Sequence, residues 1–428
     1  MPGTVNLSIL RKRRLLTLVS TRAVAFLAVL GPGFITANVD NDPGGISTYS
    51  QAGAEFGYQL LWSLIPVTIA LIVIQEMAAR MGAVTGKGLS DLIREEFGLR
   101  ATFFTMLVLG LADFMNIVSE FSGLASGMGI FGVSKYIVVP IGAALVWTLI
   151  VRGRYQGVER ILLIASLVYF AYPVSAFLAK PDWDLALKQT IIPTLSTNPR
   201  YLVLLVGLIG TTITPWMQFY LQAAVVEKGI DVRHYGLCRL DVIVGCIVTD
   251  VVAFFIVVAC GATIFHSTNH KIDDVAQYAV ALQPFAGKFA ALLFAVALIN
   301  ASLLSAAILP LATSYNICEG LGFESGIDKR FSEAPIFYWL YTLLIGGGAL
   351  TVLIPNFPLL KMMIYSQVIN GILLPFVVIY MLLLINRPRL MGTFKNKPWQ
   401  NAVAWTTALT VIVISFIWIV ALVTGKAD

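Results

Sequence analysis

The chain has 428 residues, 58% of them hydrophobic and only 12% charged, with a mean hydropathy of +0.84. Ordinary soluble domains carry about 25% charged residues, so this composition excludes a soluble globular protein and specifies an integral membrane one. The formal net charge of +6 raises nucleic acid as a partner, but the placement of the charges removes it.

Met1 to Val19 holds basic residues and some Leu, without the apolar core of about 7–15 residues and small-residue cleavage site of a signal peptide. Arg11-Lys12-Arg13-Arg14 reads instead as a cytoplasmic anchor ahead of the first span. Beyond it, apolar runs of roughly 18–25 residues, set apart by charges or Pro/Gly clusters, predict membrane helices. There are eleven: 22–54, 57–81, 101–130, 136–151, 160–179, 200–227, 238–264, 282–316, 334–354, 362–386 and 401–424. With the N-terminus inside, 21 of the 29 Lys and Arg residues fall on the cytoplasmic side and eight outside. A shift by one span scrambles that asymmetry, so the positive charge is topological and the C-terminus is extracellular. Cys238, Cys246, Cys260 and Cys318 lie in or at the ends of spans, lack metal-site spacing, and read as packing residues.

Two spans are interrupted. The first contains Asn38-Val39-Asp40-Asn41-Asp42-Pro43-Gly44-Gly45, and the sixth contains Thr211-Thr212-Ile213-Thr214-Pro215. Carboxylates are costly in a bilayer, and Pro and Gly release backbone groups that lipid cannot satisfy. Each break opens one half of the chain. After a cytoplasmic segment at 1–21, the first half covers 22–179 (spans one to five) and the second covers 200–386 (spans six to ten), with 401–424 added. Because five is odd, the halves are inverted in the membrane, the organisation of an all-α, LeuT-like (APC-type) transporter with discontinuous first and sixth helices.

Asp42 is the leading candidate for a charged ligand: it lies midway through its span, directly before Pro43, where the chain can unwind. Asn38 falls one turn earlier on the same face if that stretch is helical, and Asp40 and Asn41 add oxygens of unspecified facing. In the sixth span Thr211, Thr214, Gln218 and Gln222 form one stripe at helical spacing, broken at Pro215. Unwinding there exposes carbonyls that can ligate cations, although Thr and Gln also make ordinary interhelical hydrogen bonds. Asp113, Asn116 and Glu120 share a face of the third span; Ser366, Gln367 and Asn370 lie in the tenth. Asp241, Asp250, Asn300 and Ser302 mark the seventh and eighth. None of the three histidines lies near a span centre, so a near-neutral proton relay is missing from the core, leaving Asp113 and Glu120 as possible proton carriers.

At these residues the chain resembles the NRAMP divalent-metal transporters. Gly31-Pro32-Gly33-Phe34 through Asp42-Pro43-Gly44 to Gly57-Tyr58 is similar to that family's first helix with its Asp-Pro-Gly-Asn motif. Gln75-Glu76-Met77-Ala78-Ala79-Arg80 to Lys87 is close to the signature after its second helix, and Ser366-Gln367-Val368 with Leu374-Pro375-Phe376 matches its tenth. The resemblance covers nearly the whole chain and implies a metal site at Asp42, Gly45, Thr211, Thr214, Val39, Gln218, Gln367 and Asn41. Three departures stand out: Gly45 replaces the motif's Asn, Thr214-Pro215-Trp216 replaces Met-Pro-His, and Ile117 replaces an acid, while Glu120 remains. They make the chain resemble the NRAMP-related magnesium transporters.

Thioethers favour softer transition metals, whereas Mg²⁺ takes hard oxygen ligands and keeps several waters. Thr214 for Met and Gly45 for Asn therefore imply a roomier oxygen site for partly hydrated Mg²⁺, with Mn²⁺ also passing. With Trp216 and Ile117 in place of two coupling residues, transport is expected to proceed without proton coupling, as a uniporter working by alternating access. Asp113, Glu120 and Trp216 remain the pathway candidates. The metal is cargo, so no cofactor is expected; the partners are the ion and the bilayer of a bacterial plasma membrane, with the chain a monomer. The alternatives are a proton-coupled Mn²⁺ or Fe²⁺ symporter and a sodium-coupled organic-solute transporter, whose anionic substrate Asp42 disfavours. A channel is a further possibility. The sequence lacks His-Glu-x-x-His and Gly-x-Ser-x-Gly, so no hydrolase is expected.

Overall fold

Every regular element is helical in the computed structural model, which describes residues 41–152, 169, 171–265, 272, 274–326 and 329–423. Helix is what hydrocarbon demands, because each backbone N–H and C=O must find its partner within its own segment. The helices run α1 (Pro43–Phe56), α2 (Leu64–Thr85), α3 (Leu89–Gly129), α4 (Lys135–Val151), α5 (Ala171–Leu178), α6 (Trp183–Ile191) and α7 (Pro199–Thr212). They continue as α8 (Pro215–Glu227), α9 (Tyr235–Thr263), α10 (Ala290–Leu321), α11 (Pro335–Val352), α12 (Leu359–Ile385) and α13 (Pro398–Val423). Among the described residues, eight helical segments are long and apolar enough to cross a bilayer, counting α7 with α8 as one; α4 is shorter.

The bundle has an apolar exterior, and buried polar side chains cluster within its largely apolar core. On α3 the side chains of Phe103, Phe104, Leu107 and Leu111 are exposed, while Asp113, Asn116 and Glu120 are fully buried. That inversion of a soluble helix fits a lipid-facing stripe. Helices close on one another through small residues. A Cβ placed on Gly210 of α7 would stand 2.1 Å from the Gln367 carbonyl oxygen and 2.3 Å from the Gly371 nitrogen, so α7 and α12 cross with their backbones in contact.

Several boundaries differ from the sequence expectation, each for a physical reason. The second span was expected at 57–81, but Gly57 (φ 59°) ends α1, a 3₁₀ turn covers Leu61–Ser63, and α2 runs on to Thr85. Glu76 and Arg80, which read as a span terminus, are buried in a compensated cluster and need no exit to water. The third helix begins at Leu89 because Gly98, at φ 80° and ψ 171°, joins a short leading segment to the span proper. That left-handed angle is open to glycine and strained for other residues. The eighth span starts at Ala290 and reaches Leu321, since 275–289 are 3₁₀ turns and a single α turn.

Candidate functional site

Asp42 caps α1. Its backbone is extended (φ −70°, ψ 172°), Pro43 supplies the first helical residue, and the Gly45 N–H donates to Asp42 Oδ1 at 2.5 Å. An acidic N-cap answers both the free N–H groups and the positive end of the helix dipole. Gly45, expected among the metal residues, thus already contributes by holding the carboxylate. Asn41 is buried and its Oδ1 has no hydrogen-bond partner among the described residues. Val39, Asn38 and Asp40 lie outside those residues.

Gln367 of α12 comes to the same carboxylate. Its Nε2 lies 3.3 Å from both Asp42 oxygens. The approach requires glycine on α1, because a Cβ on Gly44 would stand 2.0 Å from that nitrogen. Behind Gln367, Asn370 Nδ2 donates to Gln367 Oε1 (2.9 Å) and to Asn116 Oδ1 (2.9 Å), and Asn116 Nδ2 returns a bond to Asn370 Oδ1 (3.1 Å).

Glu120 reaches the site from α3. It faces Asp42 closely enough for the two carboxyls to interact, and no donor among the described residues bonds either of its oxygens. Gly123, one turn further along α3, makes room for this approach: a Cβ there would lie 2.4 Å from the Pro43 ring. Both acids are buried, and no described Lys, Arg or His forms an ion pair with either. Two carboxylates held together away from water repel each other, and a cation or a proton relieves that repulsion.

The second break is present as expected. α7 stops at Thr212, Ile213 (φ −124°, ψ 69°) and Thr214 (φ −71°, ψ 140°) are non-helical, and α8 restarts at Pro215. Thr214 occupies the N-cap position without its hydroxyl capping the helix, and the Thr211 hydroxyl and Gln218 Oε1 are buried without partners among the described residues. Gln218 Nε2 donates to the Thr214 carbonyl at 3.2 Å. Gln222, the last member of the stripe, turns away, and its Nε2 donates to the Lys87 carbonyl (2.9 Å) in the loop between α2 and α3. Trp216 is buried against Tyr220, ring centroids 5.8 Å apart. Gln367 links the two breaks, its side chain bonding Asp42 and its carbonyl lying against Gly210, four residues before Thr214.

Other polar candidates fare differently. Asp113 Oδ2 accepts from Thr313 (2.6 Å) while its Oδ1 has no partner among the described residues, and Asp250 is buried beside Thr68. Ser302 and Ser366 donate within their own helices, to the carbonyls of Leu298 and Met363.

A cavity of about 820 Å³ opens at the end of the bundle where α1 stops and α12 starts, lined by residues including Gln51, Glu55, Ser126, Arg200, Asp274 and Tyr365. On its wall Arg200 pairs with Glu55 at 2.8 Å. Between this cavity and Asp42, along the same two helices, the Ser47 hydroxyl meets the Met363 sulfur at 3.7 Å. At the opposite end the helices are tied together. Arg80 bonds Glu76 (3.1 Å) and the carbonyls of Phe394 (2.9 Å) and Lys395 (3.1 Å); Gln400 (3.1 Å) and Tyr235 donate to Glu76. Sequence reasoning missed this cluster and the Asn116–Asn370 pair, whose members are far apart in the chain.

Buried polar side chains gathered where α1 opens and where α7 gives way to α8, with a cavity at one end of the bundle, fit the architecture of a LeuT-like transporter. Residues 33–421 match the family model described as natural resistance-associated macrophage protein-like, or Nramp. The chain belongs to the Nramp family. Two curated relatives of this Nramp chain carry the name divalent metal cation transporter MntH. The one from Klebsiella pneumoniae subsp. pneumoniae is 27% identical over 400 residues, covering 91% of this chain and 92% of its own. The one from Erwinia tasmaniensis is 29% identical over 387 residues, covering 88% and 90%. The crystal structure of an Eremococcus coleocola manganese transporter, in complex with an aromatic bis-isothiourea substituted compound, has a TM-score of 0.77 at 24% identity. That match covers 92% of the Nramp chain and 86% of the other. A nucleobase-cation-symport-1 family transporter, in a closed conformation with bromovinylhydantoin bound, shares the fold at a TM-score of 0.58 and 14% identity, covering 92% and 91%.

Proposed function

We propose that this Nramp chain transports divalent metal cations, with Mg²⁺ the preferred cargo and Mn²⁺ also carried, by alternating access and without proton coupling. The observation that carries the reading is the facing pair Asp42 and Glu120, buried together with no basic side chain among the described residues paired to either. Such a pair invites a compact cation.

In this reading Asp42 is the charged ligand. Asn41, Gln367, Thr211, Thr214 and Gln218 supply neutral oxygens, with carbonyls at the break and the Val39 and Gly45 backbone completing the set. The unpartnered oxygens of Asn41, Thr211, Thr214 and Gln218 support this assignment, and hydroxyl, amide and carboxylate donors suit Mg²⁺ and Mn²⁺ better than softer ions. The same departures support a reading in which the chain belongs with the magnesium-transporting members of the family. The organisation proposed with it has two inverted five-helix repeats (22–179 and 200–386) and an eleventh helix. The N-terminus is cytoplasmic and the C-terminus extracellular in a bacterial plasma membrane, and the unit is a monomer. The cavity beside Glu55 and Arg200 then faces outward. The membrane potential, worth about 2.3 kcal/mol per charge per 100 mV, drives entry.

The test is Mg²⁺ and Mn²⁺ uptake into proteoliposomes carrying a pH-sensitive dye, with Asp42→Ala in parallel. Uptake without acidification that Asp42→Ala abolishes is expected; retained uptake in the variant overturns the site. A second reading, a proton-coupled Mn²⁺ or Fe²⁺ symporter, draws on the unpartnered oxygens of Glu120 and Asp113, which offer a titratable route along α3. Uptake of Fe²⁺ or Cd²⁺ accompanied by acidification favours it over the Mg²⁺ reading.

A further inference from the structure

Gln367 is turned the wrong way to ligate a cation: its amide nitrogen points at Asp42, and its oxygen points away, into the hydrogen bond from Asn370. A Gln at a metal site ligates through Oε1, since its NH₂ group is a donor only. We infer that Asn116, Asn370 and Gln367 form a three-amide relay that reverses as a unit when a divalent cation binds, turning Gln367 from a donor to Asp42 into an oxygen ligand. The inference rests on the proposed metal site and adds two positioning residues, Asn116 and Asn370, which need not touch the ion.

The hydrogen-bond arithmetic carries it. In the observed arrangement the amides share three bonds: Asn370 donates to Gln367 and to Asn116, and Asn116 donates back to Asn370. Rotating Gln367 alone puts its NH₂ against the Asn370 NH₂, donor against donor, in a site where Gln367, Asn370 and Asn116 are almost wholly buried. An unsatisfied buried polar group is costly, so that single rotation is blocked. If all three amides rotate by half a turn, the count is conserved. Gln367 Nε2 then donates to Asn370 Oδ1, and the two Asn side chains again exchange a reciprocal pair. Only the Gln367-to-Asp42 bond is given up, and its place is taken by the contact between Oε1 and the cation. The exchange of O for NH₂ within a planar amide needs little room, which matters where Gln367 packs so close to α1 that a Cβ on Gly44 would stand 2.0 Å from its Nε2.

The relay therefore has two satisfied states. Without a cation, Gln367 donates to the Asp42 carboxylate and screens it; with one, Gln367 faces it with oxygen. Asn370 decides between them, because it alone contacts both Gln367 and Asn116 through one amide nitrogen.

A double-mutant cycle on the purified full-length protein tests this, with Mg²⁺ and Mn²⁺ binding measured calorimetrically. Asn370→Leu is expected to weaken binding by roughly tenfold in the parent, a coupling within the usual range for residues in one hydrogen-bond network. In a Gln367→Glu background, where an oxygen faces the site in either orientation, the same substitution is expected to change affinity by less than about twofold. Equal weakening in both backgrounds overturns the relay and leaves Asn370 a mere packing residue. Asn116→Leu runs the same cycle from α3 should Asn370→Leu fail to fold, with the same two outcomes. Asp42→Ala keeps the two proposals separate: if it still binds metal normally, the site itself is misplaced, whereas lost binding together with a flat cycle rejects only the relay.

Discussion

Two buried acids in this molecule are treated in opposite ways. Glu76 is matched by Arg80 one turn away and further bonded by Tyr235 and Gln400, so that nothing charged is left over. Glu120 is buried as deeply, faces the acid Asp42, and accepts no hydrogen bond from any described donor. A fold that builds the first arrangement has the means to neutralise an acid, which supports the proposal that the second is a cost retained for binding a cation. The first holds helices together; the second, on that proposal, takes its partner from outside the chain.

Unequal consequences on substitution sharpen that contrast. Arg80→Met strands Glu76 and is expected to cost about 3–5 kcal/mol, the usual penalty for half of a buried pair. Thermal unfolding in detergent checks it, with Glu76→Gln/Arg80→Met expected to recover much of the loss; a single variant as stable as the parent breaks the comparison. Glu120→Gln is expected to do the reverse, leaving the melting temperature undiminished while weakening Mg²⁺ binding about tenfold, since it removes charge and no partner. Gly44→Ala is smaller in effect: the added methyl must displace Gln367, at an overpacking cost of about 1–3 kcal/mol, and thermal unfolding should show Gln367→Ala relieving it. Arg200→Gln is the control. Its pair with Glu55 is partly exposed to the cavity, 47% on the Arg side, and breaking it should shift stability by less than about 1 kcal/mol.

Much of the frame was legible because its signals are local. Hydropathy marked the apolar helices that the described residues contain, and Pro43 and Pro215 each open a helix, as their missing N–H and fixed φ dictate. Asp42 as an N-cap follows from the same few residues. What stayed hidden was long-range. Asn116 and Asn370 were visible as polar residues on two spans, yet nothing local pairs α3 with α12. Helical spacing puts Gln222 on one stripe with Thr211, Thr214 and Gln218, but it cannot reveal that the Lys87 carbonyl draws Gln222 away. Gly98 sets a kink inside α3 through a φ angle that periodicity does not encode. Charged residues misplaced the end of α2, because a sequence shows Glu76 and Arg80 as polar without showing that they are mutually satisfied.

The tie around Arg80 also bears on how the protein is made. Its members enter the membrane in an order fixed by the chain: Glu76 and Arg80 near the start, Tyr235 midway, and the carbonyls of Phe394 and Lys395 with Gln400 almost last. During synthesis the pair at the end of α2 therefore waits for most of the remaining chain before its shell is complete. Contacts of such sequence separation form late and slowly. A ribosome stalled before residue 394 would leave Arg80 without the backbone acceptors that close its shell.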